Sequence, residues 1–274
     1  MSSKDRVAVV TGLRTPFTKA GTGLRNLKTL DLGVTVVKEL VQRAEIAPRE
    51  ITLCVYGQVV PTLDFISIAR EVVLASGLPK DVDAYSVSRA CTTSIQAMTD
   101  AAQAIEAGHH DVAIAGGADS MSDMPLGIGK RLRDALMTAQ KAKTLPAKAS
   151  AFSGLAPKDL VPPIPGFTRE TTTGELMGEA AEKMAKENGI SRAEQDAIAH
   201  RSHVNAARAW SEGTYAPEVM HVFAKPGAEP VAEDNIVRKD SSLESYAKLP
   251  PVFDRAHGTI TAGNSSPLTD GASA

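Results

Sequence analysis

The chain has 274 residues, of which 43% are hydrophobic and 23% charged, a composition that suits a globular protein with a sizeable core. A formal net charge of −2 supplies no basic field of the kind that nucleic acid binds, so no nucleic-acid partner is expected. Two cysteines, Cys54 and Cys91, are too few for a disulfide framework. The first residues show no secretory-leader pattern, and no apolar run approaches the length of a bilayer span, so we expect a cytoplasmic protein.

Strand and helix signals alternate through the first part of the chain. Apolar runs bounded by turn residues predict strands, and apolar residues at helical spacing predict amphipathic helices. The predicted strands are 6–12, 51–60, 84–89 and 111–119, and the predicted helices are 29–46, 64–77 and 91–107. Strands that alternate with helices predict a layered α/β sheet.

The middle of the chain is predicted to be helical. A basic helical pattern from Lys130 to Lys148 contains six Lys or Arg against one acid, Asp134. Such a helix can rest on an anionic membrane or a partner, or it can be a solvated helix that covers the core. A proline-rich connector over 156–167 and two further helices over 171–190 and 191–213 follow.

The last stretch, 258–274, returns to strand and glycine-turn patterns. We therefore predict an α/β domain of residues 1–122 and 251–274, interrupted by an inserted and largely helical loop domain of residues 123–250.

Cys91 lies between a predicted strand and a predicted helix. The start of a helix offers unpaired backbone N–H groups and the positive end of the helix dipole, which favour the thiolate that attacks electrophiles. Ligands of α/β folds also bind at the carboxyl ends of strands. A free cysteine is equally often a buried hydrophobic residue, and the spacing supplies no base, so these residues alone leave both interpretations open. Cys54, inside an apolar strand, is expected in the core.

Seven segments occur in one order along essentially the whole chain and resemble the thiolase family. They are "VVTGLRTPF", "SRACTTSIQAM", "AIAGGADSMSDMP", "MGEAAEKMA", "ISRAEQDAIAHRSH", "SLESYAKLPPVF" and "GTITAGNSSPLTDGASA". The residues around Cys91 and the ending "NSSPLTDGASA" look most similar to the thiolase subunit of fatty-acid oxidation that pairs with a hydratase/dehydrogenase subunit. The resemblance implies the N-terminal half of a thiolase-like layered fold, with a mixed sheet flanked by helices.

The same resemblance implies an acyltransferase, a 3-ketoacyl-CoA thiolase of fatty-acid β-oxidation. It makes Cys91 the nucleophile that takes the acyl group from 3-ketoacyl-CoA and passes it to CoA. Arg238, in "EDNIVRKDSSLE", matches an arginine that contacts the CoA nucleotide, although it can also be a solvated arginine. Ser266, in "GNSSP", matches a serine near the pantetheine arm, although it can also be a simple turn residue.

The resemblance implies no metal and no redox cofactor, and it makes CoA the cosubstrate. The implied partners are acyl-CoA and CoA, a second copy of the chain in a homodimer, and a hydratase/dehydrogenase subunit. For the basic helix of residues 130–148, the resemblance favours contact with a membrane or a partner, and it adds the CoA phosphates as a further possibility. The protein is thus expected in the cytoplasm and peripheral to the membrane.

Groups that the family supplies in its second half are not found in this sequence. They are an Asn-Glu segment, a Gly-His-Pro histidine and a Cys-x-Gly cysteine, so we expect the C-terminal thiolase domain to be absent and the chain alone to be incomplete. His200 and His203 share a helical face but lack a third ligand, so no zinc site is expected. Two rival hypotheses are a catalytically silent CoA-binding or assembly subunit, and a decarboxylating ketosynthase.

Overall fold

The structure is a computed structural model that describes residues 7–125, 127–162 and 169–274. Its central element in these residues is one mixed sheet of five strands. The strands are β1 (Thr18–Lys19), β2 (Leu53–Gly57), β3 (Asp83–Val87), β4 (Ala113–Ser120) and β5 (Thr269–Ser273). Their order across the sheet is β1-β5-β4-β2-β3. β2 pairs in parallel with both β3 and β4, whereas β5 is antiparallel to β4 and β1.

Helices flank this sheet, so the predicted α/β class with a mixed sheet is confirmed. Those of the described residues are α1 (Thr29–Ala44), α2 (Ile68–Ser76), α3 (Thr93–Glu106), α4 (Lys130–Lys141), α5 (Leu145–Ser150), α6 (Met177–Glu187), α7 (Arg192–Ser211) and α8 (Leu243–Ala247). None of the helices in the described ranges has both the length and the apolar character that crossing a bilayer requires.

The two faces of β2 show how the layers are built. Successive side chains of a strand point to opposite faces. Cys54 and Tyr56 accordingly pack in the core formed with α1 and α2, whereas Leu53 and Val55 pack with Ala97 of α3 and its neighbours. All four side chains of β2 are fully or almost fully buried. This strand therefore lies between two helical layers, as the continuous apolar run of a buried parallel strand indicates.

The predicted strand over residues 6–12 is wrong for its described part. Residues 7–12 form no strand, and Val9 and Val10 are 78% and 76% exposed. A strand needs a neighbour for its backbone N–H and C=O groups. Leu13 exchanges both backbone hydrogen bonds with Ala274, directly after β5, at 2.9 Å each, whereas residues 7–12 make no such pair with another described residue.

The predicted helices fall at the right places, with one correction. α2 ends at Gly77, whose φ of 84° lies in the left-handed region that glycine adopts without strain. The basic pattern of residues 130–148 forms two helices rather than one. Ala142 is extended after α4, and the Thr144 side chain caps α5 by accepting from the backbone of Ala147. Part of the proline-rich connector, residues 163–167, lies outside the described residues.

The chain divides into two compact units. The first consists of the described residues of Met1–Met124 with Arg192–Pro250 and Thr261–Ala274, and the second of those of Pro125–Ser191 with Pro251–Ile260. In the first unit, Asp196 of α7 accepts hydrogen bonds from Arg192 at 2.7 Å and from Asn264 at 2.9 Å, which attaches α7 to the turn before β5.

In the second unit, the carboxylate of Glu182 on α6 is 4% exposed and accepts hydrogen bonds from the backbone N–H groups of Thr259 and Ile260. This contact attaches α6 to residues 251–260. Residues 192–250 thus belong to the compact unit of the sheet, whereas the sequence prediction assigns them to the insertion. A division into compact units does not test which residues are an insertion, so the predicted boundaries of the loop domain, residues 123–250, stay a prediction.

Candidate active site

A cleft of about 210 Å³ lies at the carboxyl ends of β2 and β4, within the unit of the sheet. In α/β folds this edge of a sheet is where ligands bind. Cys91 is one of the cleft residues, together with the carboxyl ends of β2 and β4, most of β5 and the start of α3. The residues that line the cleft are Phe17, Gly57, Gln58, Val59, Ala90, Cys91, Thr93, Ser94, Gly117, Ala118, Asp119, Thr269, Gly271, Ala272 and Ser273.

Cys91 is a free and exposed cysteine at the junction of β3 and α3. The helix begins at Thr93, with Thr92 as its N-cap, so Cys91 lies directly before the cap rather than in the first turn. Ala90, the residue before it, has a φ of 45°, a left-handed conformation that alanine seldom adopts. The backbone carbonyl of Arg89 accepts from the N–H of Thr92 at 3.1 Å and from its hydroxyl at 2.9 Å. The nucleophile candidate therefore follows a strained but well hydrogen-bonded turn.

Glycine at position 57 lets the start of α3 lie directly against the end of β2. A Cβ atom at this position would be 2.1 Å from the methyl carbon of Thr93 and 2.9 Å from the carbonyl oxygen of Val87. Both distances are far below a van der Waals contact, so no larger residue fits without moving the turn. The absence of a side chain at Gly57 is therefore part of what places Cys91 at the cleft.

Two polar residues of the cleft, Gln58 and Asp119, were not predicted as site residues. The Asp119 carboxylate accepts from the backbone N–H groups of Val59 (3.0 Å) and Val60 (2.9 Å). Burial raises the pKa of this carboxyl, and the two backbone hydrogen bonds offset part of that effect. Asp119 thereby holds the segment after β2, and the cleft wall next to it.

Gln58 directly follows Gly57, the last residue of β2, and precedes Val59. Its Oε1 is buried and has no hydrogen-bond partner among the described residues. The sequence offered one signal for these two site residues, a polar residue that follows an apolar run. Gln58 has this position in "YGQVV" and Asp119 in "AGGAD".

Arg238 and Ser266 do not line the cleft that Cys91 lines. Both are exposed. The guanidinium of Arg238 donates to the carbonyl of Ala262 at 2.9 Å, and Ala262 belongs to the turn that precedes Ser266. The Ser266 hydroxyl contacts the carbonyl of Pro267 at 3.4 Å. The structure thus links Arg238 to the loop of Ser266, and their predicted roles toward CoA stay predictions.

None of the described residues that line the cleft is a histidine. His203 accepts from the backbone N–H of Arg238 at 3.2 Å, and its pKa is lowered by burial and by the positive charges of Arg238 and His200. His200 contacts the hydroxyl of Ser241 at 3.0 Å. Across the ranges that the structure describes, no group of three or more His, Cys, Asp or Glu side chains is arranged to hold a metal ion. The prediction that no metal is used stays a prediction.

Comparison with known proteins assigns the family. The family described as thiolase, N-terminal domain, matches residues 7–274. The chain belongs to the thiolase family. The resemblance found in the sequence is therefore confirmed.

Curated relatives of this thiolase chain include the 3-ketoacyl-CoA thiolase of Cronobacter sakazakii, which is 51% identical over 270 residues. The 3-ketoacyl-CoA thiolase of Serratia proteamaculans is 52% identical over the same length. Each alignment covers 98% of this chain and 62% of the relative. The chain thus spans less than two thirds of the length of these relatives.

Solved structures give the same assignment. The acetyl-CoA acetyltransferase of Bacillus anthracis superposes with a TM-score of 0.80 at 28% identity, covering 97% of this chain and 63% of the other. The Acat5 thiolase of Ascaris suum, solved in complex with coenzyme A, also gives 0.80 at 28% identity, covering 96% of this chain and 63% of the other. The thiolase-like fold predicted from the sequence is confirmed.

Proposed function

We propose that this chain contains the nucleophile of a 3-ketoacyl-CoA thiolase, an acyltransferase of fatty-acid β-oxidation. The observation that supports it most is the position of Cys91, an exposed cysteine in a cleft at the carboxyl edge of the sheet. The chain around it is about half identical to proteins named 3-ketoacyl-CoA thiolase. Cys54, the other cysteine, is buried and does not line the cleft.

The proposed reaction has two steps. The Cys91 thiolate attacks the 3-keto carbon of 3-ketoacyl-CoA, and the bond between that carbon and the neighbouring C2 breaks. The electron pair stays on C2, which takes up a proton, and acetyl-CoA leaves. The thiolate of a second CoA then attacks the thioester on Cys91, which releases the shortened acyl-CoA and regenerates the thiolate. None of the described cleft residues is a histidine, and we propose that the proton transfers use groups in the part of the relatives that this chain does not match.

CoA is the proposed cosubstrate, and no metal or redox cofactor is proposed. The Ascaris suum thiolase and the human mitochondrial 3-ketoacyl-CoA thiolase were both solved with CoA, which supports CoA binding by this family member. We extend to this chain a nucleotide contact by Arg238 and a pantetheine contact by Ser266. Arg238 fits this role in one respect, because its exposed guanidinium keeps donors available beyond its bond to Ala262.

The proposed partners are a second copy of the chain, a hydratase/dehydrogenase subunit and the surface of an anionic membrane. The proposed location is the cytoplasm, with the protein peripheral to that membrane. The membrane proposal rests on α4, where Lys130, Arg131 and Arg133 stand in the first turn and Leu136 and Met137 are 43% and 49% exposed. Cationic and apolar side chains on one exposed helix suit an anionic lipid surface.

Vesicle flotation tests the membrane proposal. The chain should bind vesicles that contain anionic lipid, and added salt should weaken the binding because it screens surface charge. Reversal of Lys130, Arg131 and Arg133 to Glu should abolish it. Reversal of the exposed Lys38, Arg43 and Arg49 changes the net charge equally and should have little effect. Equal loss in both triple variants would mean that net charge alone is responsible.

Acyl transfer tests the enzymatic proposal. We expect no measurable thiolysis by the chain alone, and we expect activity when it is combined with the part of the Cronobacter sakazakii relative that it does not match. Cys91→Ser should abolish the restored activity, and mass spectrometry should detect an acyl group on Cys91 of the unsubstituted chain. CoA binding without any restored turnover would support the silent CoA-binding or assembly subunit instead. Decarboxylation of a malonyl thioester would support the ketosynthase.

A further inference from the structure

Thr93, the first residue of α3, is buried two residues after the exposed Cys91. Its side chain is 4% exposed, although the neighbouring residues of the turn are exposed. The hydroxyl accepts from the backbone N–H of Arg89 at 2.8 Å and donates to the backbone carbonyl of Ala90 at 2.7 Å. One buried hydroxyl thus bonds the main chain at the two residues that precede Cys91.

The carbonyl of Ala90 is held a second time, by the backbone N–H of Thr93 at 3.1 Å. This carbonyl belongs to the peptide plane that joins Ala90 to Cys91. Two hydrogen bonds on one carbonyl fix the rotation of that plane, and the direction in which the Cys91 side chain leaves the backbone follows from it. The turn needs such support, because Ala90 has the unfavourable φ of 45°.

The methyl group of Thr93 packs against the end of β2. It occupies the space that a side chain on Gly57 would fill, 2.1 Å from the position of a Cβ atom there. The end of β2 therefore fixes one branch of Thr93, and the other branch fixes the turn. The two hydrogen bonds of the hydroxyl, rather than the packing of the methyl group, hold the peptide before Cys91.

We propose that Thr93 is a positioning residue for Cys91, and that its hydroxyl holds the Ala90–Cys91 peptide so that the sulfur lies in the cleft at the start of α3. Thr93 acts through the backbone and does not itself take part in the reaction. The inference deepens the proposed function and rests on it, since it takes Cys91 to be the reactive group.

Two substitutions separate the two branches of Thr93. Thr93→Val keeps the shape and removes both side-chain hydrogen bonds, whereas Thr93→Ser keeps the hydroxyl and removes the methyl. Thr92→Val is the matched control. Among the described residues, the Thr92 hydroxyl bonds only the Arg89 carbonyl, and that carbonyl retains the Thr92 N–H as a donor. All three are made in the full chain.

The measurement is the rate at which iodoacetamide alkylates Cys91 at pH 7, with Tm recorded for each variant. Thr93→Val and Thr93→Ser should both lower Tm by about 2–4 °C, because each removes a buried interaction. Only Thr93→Val should slow alkylation, by about tenfold, because only this variant releases the turn that holds the sulfur. Thr93→Ser and Thr92→Val should alkylate at the rate of the unsubstituted chain.

Alkylation in Thr93→Val that is unchanged or faster would overturn the proposal. So would equal slowing in Thr93→Val and Thr93→Ser, because a merely structural role affects both variants alike. Buried Cys54 should stay unlabelled in every variant and reports that the core is still folded. The readout needs no thiolase turnover. If thiolysis cannot be restored but the alkylation pattern holds, the proposed function fails and the positioning role stands.

Discussion

Cys54 and Cys91 have the same side chain in two regions of one compact unit, and those regions give them different chemistry. Cys54 lies inside β2, between two helical layers, and burial raises the pKa of its thiol to about 12. Cys91 lies after the end of β3, exposed in a cleft and directly before the N-cap of α3. A thiol inside a strand is a neutral core group, whereas a thiol beyond a strand end is available to a ligand.

The largest expected difference between the two regions is in acyl transfer. When the chain is combined with the part of a relative that it does not match, Cys91→Ser should lower thiolysis of 3-ketoacyl-CoA by about three orders of magnitude or more, because the acyl acceptor is lost. Cys54→Ala, its control, should retain most of the activity of the folded protein. Activity that survives Cys91→Ser would show that another group accepts the acyl chain.

Alkylation should separate the two thiols next. At neutral pH, iodoacetamide should label Cys91 at least about a hundredfold faster than Cys54, since Cys54 reacts only when β2 opens. Peptide mapping after timed quenching measures both rates in one sample. In denaturant the two rates should become similar, which shows that the fold causes the difference. Similar rates in the folded protein would mean that Cys54 is not shielded from solvent.

Substitution of Cys54 should affect the stability of the fold more than substitution of Cys91, the opposite of the order expected for activity. Cys54→Ser should lower the free energy of unfolding by about 1–3 kcal/mol, because it places a polar hydroxyl in the buried apolar core. Cys91→Ser should change the free energy of unfolding by less than about 0.5 kcal/mol, because the side chain is exposed. Urea unfolding of the two variants side by side measures this. A larger loss at Cys91 would mean that its thiol packs in the fold.

The smallest expected effect is a dependence of stability on alkaline pH. The pKa of Cys54 rises from 9.0 to about 12 on folding, so the unfolded chain loses this proton first. The stability from the protonated thiol is complete below pH 9 and is lost as the pH rises toward 12. Between pH 9 and 10, the unsubstituted chain should lose about 1 kcal/mol more than Cys54→Ala. Parallel curves for the two proteins would indicate that Cys54 is not buried as described.

Local periodicity was enough to place most elements. The apolar spacing of residues 29–46 predicted α1, and the apolar run with Cys54 predicted β2, because both patterns report which side chains face a core. Gly77 marked the end of α2 for a purely local reason, its left-handed φ. The strand predicted over residues 6–12 is wrong over its described residues, 7–12, for a non-local reason. Its apolar residues fit a strand, but strand formation depends on a neighbouring strand, which no local pattern reveals.

The sequence by itself determined the α/β class, the place of Cys91 between a strand and a helix and, through its motifs, membership of the thiolase family. Only the tertiary structure decided which residues share the cleft with Cys91. Asp119 reaches the segment after β2 because β2 and β4 are neighbours in the sheet, and Thr93 fits behind Cys91 because Gly57 leaves room for its methyl group. Arg238 does not line that cleft, and nothing in the local sequence around Arg238 indicated this. Elements follow from short-range periodicity, whereas a site follows from pairings between residues far apart in the chain, which only packing of the sheet and helices establishes.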